Sequence, residues 1–196
     1  MPVFPAPPDP PAQVFALATP AHVLAKLYWE IKNLREHMRG PRDELMAHLH
    51  ASYMAFNTAV TAWHLCDWVF HSWEGAERKE VMAERAPGAN VTAVEFRTAM
   101  AKASRSLKIC QQIANGSKHM KCRFSDATIG VSLKWEAGPA SSGEGPGSFY
   151  RWDLVVRDDG AERAALEVFD EVFRFWRREL ASWGFIEDWI LPEDET

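Results

Sequence analysis

The sequence has no apolar run approaching the roughly 18 residues that cross a bilayer. Its longest candidate, Ala62 to Trp73, is broken by His64, Asp67 and His71. The N-terminus, M-P-V-F-P-A-P-P, has neither the basic region nor the apolar core of a secretory signal. A soluble, cytoplasmic protein with no membrane partner is therefore expected. Cysteine is scarce: Cys66, Cys110 and Cys122 make an odd number and include no C-x-x-C pair, which excludes a disulfide framework and the common structural zinc sites. Three free thiols are expected, two of them in the core. An overall basic excess is also lacking. With 22 Lys plus Arg against 27 Asp plus Glu, the net charge of −5 argues against coating nucleic acid or anionic membrane by bulk charge. Phosphate loop, G-x-S-x-G elbow and dinucleotide fingerprint are all missing, so no nucleotide or nucleophile motif directs the reading.

What is present is a chain of 196 residues, 47% apolar and 25% charged, enough for one domain with its own core. Six prolines in the first eleven residues bar regular structure there, so residues 1–18 read as a disordered proline-rich tail. Residues 19–191 read as a single domain and residues 192–196 as an acidic tail. Thr19-Pro20 supplies an N-cap and a first-turn proline, after which Leu24, Leu27, Tyr28, Ile31, Leu34 and Met38 recur at helical spacing up to Gly40-Pro41. A second helix is predicted from about Arg42 to Trp73, with Leu45, Leu49, Tyr53, Phe56, Val60, Trp63 and Phe70 on its apolar side. A short charged helix follows at Ala76 to Arg85. The third long helix starts at a capping box, Thr92 with Glu95, and draws a seam through Phe96, Met100, Ala103, Leu107, Cys110 and Ala114 before Asn115-Gly116.

Beyond that point the period changes to two. Ile129, Val131, Leu133 and Trp135 alternate with smaller or polar residues, as do Tyr150, Trp152, Leu154 and Val156, which predicts a β-hairpin within about 127–157 closed by the loop Gly138 to Ser148. Asp158-Asp159-Gly160 then turns the chain into a last helix whose Leu166, Phe169, Phe173, Trp176, Leu180 and Trp183 repeat like a heptad seam. The expected fold class is mainly α: a helical bundle of four long helices with an inserted β-hairpin, the third and fourth packed through their seams.

Two groups of residues invite a functional reading. Asn57, His64, Asp67 and His71 form a polar stripe on the second helix within about 80° of one another. Apolar neighbours flank the stripe, so it is expected to face protein, as a hydrogen-bonded network in which Asp67 fixes a histidine tautomer, or as a ligand site. The metal form of that reading joins His119 to His64, Asp67 and His71; His64 and His71 lie roughly 10.5 Å apart along the axis, a long reach for one tetrahedral ion, Asp67 with His71, four apart, is the better pair, and no stoichiometric metal or other cofactor is expected. The second group is basic. Between Phe96 and Ser125 there is no acidic residue, and Arg97, Lys102, Arg105, Lys108, Lys118, Lys121 and Arg123 give a local charge of +7 suited to RNA phosphates.

That basic stretch contains Asn115-Gly116-Ser117-Lys118-His119, which resembles the asparagine, spacer and histidine of the HEPN domains, all-helical bundles of prokaryotic toxin and defence systems. In that family an arginine precedes the asparagine; here Ala114 takes its place. The resemblance implies a homodimer, RNA as partner, an antitoxin or other protein as a further partner, and metal-independent endoribonuclease chemistry carried by Asn115 and His119. Positive charge would then come from Lys118, Arg105 or another subunit. Two other functions stay open at this point: a non-catalytic helical protein-interaction module and the metal-binding bundle.

Overall fold

The computed structural model describes residues 17–39, 46–116, 128–138 and 149–186. The proline-rich segment to residue 16 and the acidic tail 192–196 lie outside the described residues. The Ala18 N–H donates to Nδ1 of His22 at 3.2 Å, while Thr19 Oγ1 accepts the His22 N–H at 3.3 Å, so the start of α1 (Pro20–Arg39) is capped from both sides. The predicted stripe of α1 is its core face: Leu24, Leu27 and Leu34 are fully buried.

The second helix, α2 (Ala47–Ser72), is the centre of the molecule and packs against α1, both later helical segments, the last helix and the middle strand. Its buried face includes Trp63 and Phe70 as expected but otherwise differs from the expected one. Tyr53 is 61% exposed and Leu49, Phe56 and Val60 are only half-buried, whereas Ala51, Ala59, Ala62, Leu65, Cys66 and Val69 are fully buried. Small side chains let the neighbouring backbones come close, and a central helix needs that more than it needs bulk. After α3 (Gly75–Arg85), whose Glu74 and Glu77 form a reciprocal capping box, comes the expected third long helix, which is in fact two. These are α4 (Ala93–Ala103) and α5 (Arg105–Gly116), separated by Ser104 in extended geometry at φ −137° and ψ 115°. Ser104 Oγ accepts the Leu107 N–H at 3.2 Å and its carbonyl accepts the Lys108 N–H at 3.0 Å, so the serine ends one helix and caps the next. Phe96, Met100, Leu107, Cys110 and Ala114 remain buried across the break, and Ala103 turns out to solvent. The capping box at α4 is half as read: Thr92 accepts the Glu95 N–H, but the Glu95 carboxylate receives the Thr92 hydroxyl at 2.9 Å, and the Thr92 N–H goes to Asn90 O.

Strands β1 (Ile129–Gly138) and β2 (Phe149–Asp158) pair antiparallel in the register Ile129 to Asp158 through Gly138 to Phe149. The expected turn into the last helix is a second hairpin instead. Asp159 and Gly160, at φ 53° and 85°, make a two-residue turn with both centres left-handed, and β3 (Ala161–Ala164) returns along β2. Trp152, Val156 and Ile129 are buried as the alternation predicts, yet Val155 is buried too, while Val131 is 44% exposed. Val155 lines one cavity together with Leu34 and Met38 of α1 and Leu166.

The last helix, α6 (Ala165–Ser182), buries Phe169, Phe173, Trp176 and Leu180 as its seam predicts. Its widest contact is with α1 and not with the third helical segment: Tyr28 and Phe173 rings lie 5.9 Å apart, and Arg35 meets Asp170 at 2.5 Å. Trp176 is fully buried, and its Nε1–H donates to Ala62 O at 2.9 Å, which locks α6 to α2. The architecture is thus mainly helical, with long α1, α2 and α6 of 20, 26 and 18 residues, shorter α3, α4 and α5, and a three-stranded antiparallel sheet. Among the described residues no helix is long and apolar enough to cross a membrane.

Candidate RNA-binding surface

Of the predicted polar stripe of α2, Asn57, His64 and His71 are exposed. Asp67 is half-buried and accepts from Arg97 Nη1 of α4, at 3.1 Å to Oδ1 and 3.3 Å to Oδ2. The metal reading needs the Asp67 carboxylate as a ligand, and Arg97 engages it. Among the described residues no group of three or more His, Cys, Asp or Glu side chains could hold a metal ion.

The basic stretch divides into engaged and open members. Arg97 is held by Asp67, Arg105 Nε donates to Asp158 Oδ1 at 2.8 Å and its Nη2 to Thr128 Oγ1 at 2.8 Å, and Lys108 donates to Gln111 Oε1 at 2.8 Å. Lys102 is exposed. Lys118, His119, Lys121 and Arg123, together with Cys122, lie outside the described residues. Arg105 also stands at the opposite end of α5 from Asn115, ten residues or about 15 Å along the axis, so within one chain it does not replace the motif arginine.

Asn115 is exposed on the last turn of α5, and Ala114 beside it is only 4% exposed. Successive helical residues point about 100° apart, so the asparagine looks to solvent while the position that holds arginine in the HEPN pattern looks into the core.

A network that the sequence did not announce joins α5 to the sheet and α6. Ser106 Oγ donates to Glu171 Oε2, Arg163 Nη2 donates to Glu171 Oε1 at 2.6 Å, and Asp158 receives Arg105. The Arg163 hydrogen bond holds the Glu171 carboxyl below its ordinary range, and the same bond raises Arg163. The stabilisation from Glu171 is therefore complete above the ordinary carboxylate range and is lost as acid protonates the group. Its partners are 65 and 8 residues away in sequence, which is why no local pattern reveals it. Cys66 and Cys110 are free and fully buried, and desolvation pushes both thiols up, so neither is a nucleophile. No family model, curated protein or solved structure matches this chain.

Proposed function

We propose that the chain is a HEPN-like RNA-binding protein that holds RNA without cutting it. The observation that carries this reading is the orientation at the end of α5: Asn115 is exposed, and Ala114, in the place of the arginine, is buried. Asn115 meets solvent. Position 114 has neither the guanidinium side chain nor the direction to reach a phosphate, and lysine is a poorer bidentate substitute. Charge supports the same conclusion, since Lys102, Lys118, Lys121 and Arg123 belong to a stretch with no acidic residue. On the same resemblance the setting is a cytoplasmic toxin or defence system of a prokaryote, with the chain as a homodimer.

A second reading has its own support. Arg97 and Arg105 are already matched by Asp67 and Asp158, which fits a helical protein-interaction module whose arginines serve the fold. Salt dependence separates the two. Changing Lys118 and Lys121 to glutamine should reduce the slope of log affinity against log salt by about 1.4 to 1.8 if both sit on RNA phosphates. An unchanged slope removes them from the RNA surface.

A further inference from the structure

The solvent face of α2 has an unusual composition for a helix in water. Ordinary exposed faces are dominated by charged residues. In its 26 residues α2 carries one charged side chain, Asp67, and Arg97 neutralises it. Apart from the terminal Ser72, the exposed positions are instead His50, Tyr53, Asn57, His64 and His71, with Trp68 half-buried among them. At 100° per residue these six project within an arc of about 60°, and from Tyr53 to His71 they extend about 27 Å. The arc has firm borders. On one side Thr61 accepts a hydrogen bond from Lys26 of α1, and on the other Asp67 is tied to Arg97 of α4.

We infer that this face is a stacking platform for the bases of single-stranded RNA, an inference that rests on the RNA-binding reading and specifies its substrate. Flat rings with polar edges suit unpaired bases, which stack on tyrosine, tryptophan and histidine irrespective of sequence. Duplex RNA hides those surfaces. Charge favours RNA over a protein partner: the face has no uncompensated acid, and Lys102 of α4, a helix packed against α2, is exposed. Asn57 adds an amide that can pair with a base edge.

The test compares a single-stranded RNA containing 2-aminopurine with its duplex form, using the full chain. Single-stranded RNA should bind more tightly and its 2-aminopurine fluorescence should fall on binding. Tyr53→Ala and His64→Ala should each lower single-strand affinity about 5- to 150-fold, the range of one lost base stack, without changing the salt slope. Tyr53→Phe should retain affinity. Both positions are exposed, so unfolding midpoints should stay near that of the parent and exclude misfolding as the cause. If single-stranded RNA binds and both alanine variants bind it equally well, the platform is overturned while RNA binding stands. A preference for duplex overturns it as well. Failure of the parent chain to bind either RNA at low salt overturns both the platform and the reading beneath it.

Discussion

Replacing Trp176 by alanine is expected to destabilise the protein by about 3 to 5 kcal/mol, the cost of deleting a fully buried aromatic. Two losses combine there. The ring is removed from the junction of α6 with α2, and the Nε1–H bond to Ala62 O at 2.9 Å goes with it. Trp29→Ala is the matched control. Trp29 is 44% exposed on α1, so its removal should cost less than about 1 kcal/mol. Denaturant unfolding of both variants measures the difference, and equal losses would place Trp176 in a loose contact.

The second large effect concerns a buried charge. The Glu179 side chain is 4% exposed, and Arg85 Nη2 of α3 meets its Oε2 at 2.6 Å. Taking away one partner of such a pair leaves a carboxylate without compensation in a poor solvent for it. Arg85→Met should therefore cost about 3 kcal/mol, the low end of the usual range, because Arg178 still reaches Glu179 Oε1 at 3.1 Å. Adding Glu179→Leu should recover most of the loss. If the double variant is no more stable than Arg85→Met alone, the charge is not the source of the cost.

The features that the sequence displays are those set by neighbours in the chain. Thr19-Pro20 fixes the start of α1, the alternation about Trp152 marks β2, and the spacing of Phe169, Phe173, Trp176 and Leu180 gives the core face of α6. Each is a local pattern of large side chains. The α2 face shows the converse: Trp63 and Phe70 are buried as their spacing predicts, but Ala51, Ala59 and Ala62 bury fully while signalling weakly beside Tyr53, so the real core face is rotated from the expected one. Ser104 looks like any helical serine until its hydroxyl takes the Leu107 N–H. The strand β3, Ala161–Ala164, has too few apolar residues to show a period.

The candidate site divides in the same way. Asn115 and the basic stretch are visible as motif and composition. The partners that occupy Arg97 and Arg105 are not, because Asp67 and Asp158 lie 30 and 53 residues away. Exposure of the polar stripe was equally hidden, since it depends on where α1 and α4 border α2 and not on the residues beside it.

Incubation of the purified chain with single-stranded RNA at low salt in the presence of a chelator, followed by separation of bound and free RNA and sizing of both, tests the central claim most directly. The account predicts a complex whose RNA remains full length, and His119→Ala should leave both the complex and the RNA size as they are. RNA fragments that disappear in His119→Ala would contradict binding without cleavage, and the absence of any complex would contradict RNA binding itself.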